Sequence, residues 1–128
     1  MKIYVTDSFD KFMRKAKVTD DIILQVSREL DNGLHDGCLN MGKLFKKRIA
    51  SPRQTKRDSN RSVVAVQNGN RLFFIQGWRK VDIPKKGKEI PDKLLEAYKL
   101  MGETFINFTP QDIEQSLKDG LLREVEHD

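Results

Sequence analysis

Side chains on a strand alternate between its two faces, so in the segment Lys43–Ala50 the cations Lys46 and Arg48 share one face while Phe45 and Ile49 point the other way, toward a core. On the next apolar segment Arg61 shares its side with Val63, and beyond the end of the third come Arg79 and Lys80, with Trp78 beside them. If the three segments are neighbours in a hairpin meander, Lys46, Arg48, Arg61 and Arg79 converge on one patch of the helix-free face of a sheet. Cations packed that closely repel one another unless an anion lies among them, so the patch reads as a phosphate site. Such a site needs no metal to work on RNA. The 2′-hydroxyl is a built-in nucleophile, and the protein need add only a base, an acid and positive charge around the scissile phosphate. A lysine crowded by like charges yields its proton more readily. Arginines stay charged and hold phosphate oxygens bidentately. An isolated Lys-x-Arg pair would be a solvated strand surface; the chemistry rests on the clustering.

Around these four, Trp78 is the side chain suited to stacking on an unpaired base, with a rim tryptophan at a sheet end as the plainer reading. Lys43, Lys47 and Lys80, with Arg53, Lys56 and Arg57 of the polar loop Ser51–Asn60, suit backbone phosphate contacts. Other chemistries are poorly served. Cys38 is the single cysteine, which excludes an internal disulfide and cysteine-rich zinc sites. His35 and His127 are the only histidines, Asp58 and Asp82 are too few and too separated for a two-metal nuclease, and no metal or other cofactor is expected.

The charge distribution supports an anionic partner. Net charge is +5, but between Lys43 and Lys88 stand 14 of the 24 Lys+Arg and 2 of the 19 Asp+Glu, a net of +12. The rest, 10 cations against 17 acids, is −7. Surfaces ordinarily mix their signs, and segregation of this kind concentrates positive potential where polyphosphate chains are drawn in. The opening KIYVT reads as a strand and not as a signal peptide, no apolar run approaches a bilayer span, and the expected compartment is the reducing cytoplasm with no membrane partner.

A length of 128 residues suits one domain, 1–128, with one core. Lys2–Thr6 alternates as a half-buried strand. Asp7 or Ser8 is placed to cap a helix with Phe9, Phe12, Met13 and Ala16 on one stripe; Thr19 caps a second, ended by Asn32-Gly33. A loop through Gly37 and Gly42 leads to strands Lys43–Ala50, Arg61–Gln67 and Arg71–Gly77, the last two joined by a tight turn at Asn68-Gly69. The run Leu72–Ile75 is apolar on both faces, which suggests mid-sheet. A basic linker punctuated by Pro84, Gly87 and Pro91 precedes a helix from about Asp92 to Phe108, and Thr109-Pro110 opens another that stops at Gly120, before a possible strand Leu121–Val125. The expected fold is α+β: a small antiparallel sheet in the order β-α-α-β-β-β-α-α, with or without a C-terminal strand, and helices on one face.

With the residues laid out, KLFKKRIASPRQ leading through a loop to RSVVAVQNGNRLFFIQGWRK resembles the RelE superfamily of bacterial toxins, and more closely a RelE/HigB-related branch. The opening KIYVTDSFDKFMRKAKVTD and closing LLREVEH fit that branch, so the likeness spans essentially the whole chain. The resemblance implies a RelE-like fold and a type II toxin that cleaves mRNA in the ribosomal A site by 2′-hydroxyl attack on the adjacent phosphate. It also implies a cognate antitoxin, a small helix-turn-helix DNA-binding protein. Carried over, Lys46 and Arg48 match the paired strand cations, Lys46 as base. Arg61 matches the arginine that steadies the transition state, Arg79 the cation that contacts phosphate after the meander, and Lys80 the branch's own lysine. Two departures stand out. Val81–Lys86 lacks the aromatic or histidine that some members carry there as stacking group or proton donor, and Asp58-Ser59-Asn60 replaces glycines and an aromatic before Arg61. Two other functions remain open on the same fold and charge: a ParE-like inhibitor of DNA gyrase, which would lack the catalytic cations, and a non-catalytic RNA- or ribosome-binding module.

Overall fold

In the computed structural model, which describes residues 1–40, 43–54, 59–82 and 92–126, the first helix is capped by the last residue of the first strand. Strand β1 (Lys2–Thr6) runs directly into α1 (Asp7–Ala16), and the cap is Thr6 and not the expected Asp7 or Ser8. Its hydroxyl accepts from the Phe9 amide at 3.1 Å and donates to the Ile75 carbonyl at 2.6 Å, so one side chain fixes both the helix start and its place on the sheet. Lys17, at φ 59°, turns the chain within three residues into α2 (Asp20–Asp31), capped by Thr19 as expected. Next come β2 (Gly37–Asn40), β3 (Leu44–Ile49), β4 (Asn60–Gln67), β5 (Arg71–Trp78) and a 3₁₀ turn, Lys80–Asp82. The chain closes with α3 (Asp92–Ile106), α4 (Pro110–Lys118) and β6 (Leu122–Glu124). Asn68 and Gly69 both take positive φ in the β4–β5 turn, as a tight hairpin requires. Gly42, Pro84, Gly87 and Pro91 lie outside the described residues.

The α+β class stands, with two corrections. Gly37–Asn40 is a sixth strand and not a loop, paired antiparallel with β3 at the sheet edge; the order is β2-β3-β4-β5-β1-β6. All neighbours are antiparallel except β1 and β5. The second correction concerns the helices, which pack on both faces. On one, α1 and α2 cover Ile3, Val5, Ile49, Val64, Leu72 and Phe74; on the other, α3 and α4 cover Tyr4, Leu44, Val63, Ala65, Phe73 and Ile75. The cause is visible in Leu72–Ile75: a strand apolar on both faces must be covered on both, or one set of side chains stays in water. Phe73 sits between Tyr4 and Phe105, ring centroids 5.3 and 5.1 Å away. Buried Gln67 presents its amide nitrogen to the carbonyls of Phe105, Ile106 and Phe108 at 2.7–3.0 Å, meeting acceptors that the end of α3 would otherwise leave unsatisfied.

Candidate functional site

The second helical layer covers only part of its face. α3 lies on β4 and β5, and beyond Leu44 the same face of β3 continues into charge. Residues 44, 46 and 48 share a side, so Lys46 and Arg48 follow the buried Leu44 out of the core; on β4, Arg61 follows Ala65 and Val63. Register then decides what meets. Arg48 is directly opposite Arg61 across β3–β4, Arg61 is opposite Trp78 across β4–β5, and Lys46 is opposite Gly37 across β2–β3. Like charges directly opposite one another destabilise a sheet, and here two arginines occupy the pair.

These side chains line a concave pocket of about 280 Å³, with Asp36, Lys46, Lys47, Arg48, Arg61, Ser62 and Trp78 around it. Arg61 is 9% exposed, and its guanidinium donates to the Ser59 carbonyl at 2.6 Å, a contact that fixes where the charge points. Asp36 is the one acidic residue among the described residues of the wall. Its carboxylate accepts from the Arg48 amide at 2.7 Å, and its own amide donates to the Lys46 carbonyl at 2.9 Å, extending the β2–β3 ladder by one residue. Trp78 stacks on Tyr98 of α3, centroids 6.2 Å apart and planes 13° from parallel. That contact uses one of its two faces. Its indole N–H is buried and, among the described residues, has no acceptor. Burial also pushes the Tyr98 hydroxyl above its ordinary pKa. Buried orphan donors are uncommon in folded proteins.

Two expected members of the set direct their charge elsewhere. Lys47 is on the opposite face with Phe45 and Ile49. Its ammonium is buried, 2.7 Å from the Leu34 carbonyl and 3.0 Å from Glu29, so it ties β3 to the end of α2 and is not placed to meet RNA. Ser62 on the same face is likewise engaged, donating to the Lys47 carbonyl at 2.7 Å. Arg79 does not line the pocket. Trp78 takes the pocket side opposite Arg61, so the next residue turns to the α1 side. There Arg79 binds Asp82 bidentately at 3.0 and 3.2 Å, and Asp82 lies 3.6 Å from Lys15 of α1. The hydrogen bond from Arg79 holds the Asp82 carboxyl below the usual carboxylate range and raises Arg79 in turn. The four-cation convergence is therefore a three-cation one: Lys46, Arg48 and Arg61.

Lys43, Arg53 and Lys80 are exposed and outside the pocket lining; Lys56 and Arg57, like Asp58 and His127, lie outside the described residues. His35 packs its ring 4.6 Å from Phe45. Sequence reasoning missed Asp36, which carries no pattern of its own and enters the site only through the β2–β3 register. No group of three or more His, Cys, Asp or Glu placed to hold a metal ion, and no helix long and apolar enough to cross a membrane, occurs among the described residues.

Comparison with known proteins agrees with this architecture. A family model described as the RelE toxin of the RelE/RelB toxin-antitoxin system matches residues 1–125. No curated protein matches the chain. With nearly its whole length matched, the chain belongs to the RelE toxin family and is a toxin of a toxin-antitoxin system, with an antitoxin as its counterpart.

Proposed function

We propose that this RelE-family toxin is a ribosome-dependent mRNA endonuclease that arrests translation by cleaving mRNA in the A site. The observation that carries the reading is the Arg48–Arg61 pair, two cations in direct register that line one pocket with Lys46. A phosphodiester bridging the two guanidinium groups converts their repulsion into attraction, and that attraction grows as charge accumulates on the phosphate in the transition state. The nucleophile is the substrate's 2′-hydroxyl, so the residues present suffice without a metal. Arg48 and Arg61 grip the scissile phosphate, and Lys46 moves a proton, as base in the resemblance to the family. Trp78 lines the pocket and is the side chain there suited to stack on a base. Exposed Lys43, Arg53 and Lys80 extend the cationic surface along the RNA backbone, where their contribution is non-specific and weakened by salt. The counterpart antitoxin is a small helix-turn-helix DNA-binding protein, and the toxin acts in the cytoplasm.

The test is brief induction of wild type and Arg61→Ala, with growth followed and mRNA 5′ ends mapped in both. New ends inside translated frames with the wild type, absent with the variant, support the nuclease. Arrest with intact mRNA points to a protein target such as DNA gyrase. An absence of arrest leaves an RNA-binding module without cleavage.

A further inference from the structure

We infer that Asp36 is a catalytic residue of the pocket, the base that accepts the 2′-hydroxyl proton, and that Lys46 delivers a proton to the leaving oxygen; this rests on the nuclease reading above. A positioned general base needs one anchored point and one free point, and Asp36 has both. Its Oδ2 is fixed by the Arg48 amide at 2.7 Å, and its main chain is fixed by the Lys46 carbonyl at 2.9 Å. Among the described residues, Oδ1 has no hydrogen-bond or ion-pair partner, and Asp36 lines the pocket with Lys46, Arg48 and Arg61. The lysine lies close by for a stated reason. Residue 37 is glycine, and a Cβ there would stand 3.0 Å from Lys46 Cε and 3.9 Å from its Nζ, so the Lys46 side chain runs over the residue next to Asp36. The edge strand β2 thus brings an acid–base pair to one side of the two phosphate-gripping arginines.

The reaction balances with these groups alone. The 2′-hydroxyl proton passes to the Asp36 carboxylate as the O2′–P bond forms. The P–O5′ bond breaks, and O5′ takes a proton from the Lys46 ammonium. The products are a 2′,3′-cyclic phosphate end and a 5′-hydroxyl end, and exchange with water returns both side chains to their starting forms. Assigning the base to Asp36 gives Lys46 the opposite duty to the one the family resemblance implies.

Asp36→Asn separates this role from strand anchoring, because the amide oxygen still accepts from the Arg48 N–H but the side chain takes no proton. Two quantities are read on ribosome complexes: single-turnover cleavage of A-site mRNA, and binding of the toxin when that mRNA carries a 2′-O-methyl group at the scissile position. The expected result is a cleavage loss of about 10²–10⁴-fold, the usual worth of a general base, with binding to the blocked mRNA unchanged or tighter because a negative charge has left a cationic pocket. An Asp36→Asn variant that cleaves within about threefold of wild type overturns the assignment. So does one that loses cleavage, binding and thermal stability together, since Asp36 would then be only a strand anchor. A wild type that leaves the unblocked mRNA intact overturns the nuclease reading itself, and this inference with it.

Discussion

Lys46, Lys47 and Arg48 are consecutive on β3, yet the two faces of that strand use positive charge in opposite ways. Toward α1 and α2 three cations are each held by acids: Lys47 is buried against Glu29, Arg123 of β6 bridges Asp10 and Asp20, and Arg79 is held by Asp82. Toward the pocket, Arg48 faces Arg61 in register, and Lys46 and Asp36 line the same wall. Paired cations tie elements together and lower the local potential. Cations set against each other cost stability and raise the local potential, which is the condition for holding a polyanion. A count of basic residues cannot tell the two apart; strand parity can.

The widest gap between the faces is expected in activity. On the proposed nuclease reading, Arg48→Ala removes one jaw of the phosphate grip and should lower mRNA cleavage by about 10²–10³-fold, the range found on removing one donor to a developing oxyanion. Its melting temperature should hold or rise slightly, since the variant relieves the opposition to Arg61. Thermal unfolding beside a cleavage assay reads both, and a large fall in stability with intact cleavage would sink the contrast.

Lys47→Ala should do the reverse. It leaves Glu29 with a lost partner and the Leu34 carbonyl with a lost donor. Breaking a fully buried pair costs 3–5 kcal/mol; with Glu29 at the rim, about 2–3 kcal/mol is expected. For a chain of this size that is a fall in Tm of roughly 8–12 °C. Cleavage per folded molecule, measured well below the transition, should match wild type. If instead Lys47→Ala cleaves poorly while folding normally, both faces of β3 serve the RNA.

Most of the scaffold was legible because it follows local rules. Alternation placed β1, β3, β4 and β5 within a residue or so, Thr19 and Thr109-Pro110 marked helix starts, and Asn68-Gly69 marked the hairpin. Lys46, Arg48 and Arg61 were legible for the same reason, since parity alone groups them. What failed depended on long-range pairing. Gly37–Asn40 is too short to show a period, so β2 and Asp36 with it were hidden. The position of Arg79 follows from a register shift: Val63 pairs with Gln76 and Val64 with Phe74, leaving Ile75 as an extra residue, so the parity of β5's end cannot be counted from its start. Two sequence signals bear on the corrected points. The two-sided apolar run Leu72–Ile75 called for helices on both faces, and Lys47 has the parity of Phe45 and Ile49.

The smallest expected effect lies where the paired face is most exposed. Asp82 lies between Arg79 and Lys15, with about 38% of its side chain in contact with solvent, and exposed pairs of this kind contribute little. Their sign is still determinate. The folded-state pKa of Asp82 is lowered, first by its hydrogen bond to Arg79. Its contribution to stability is therefore present above the unfolded carboxylate pKa of about 4 and is lost as pH falls through the lower folded value. Wild type should exceed Asp82→Asn in denaturant midpoint by a small margin at neutral pH, and the two curves should merge as pH drops below that range. A margin that grows on acidification would mean that Asp82 binds its proton more tightly folded than unfolded, which the bidentate grip of Arg79 does not allow. The same variant frees Arg79 from its acid. If cleavage then rises, the guanidinium that the family resemblance assigns to phosphate is held in reserve by Asp82; if cleavage is unchanged, Arg79 takes no part in the pocket, in keeping with its place outside the lining.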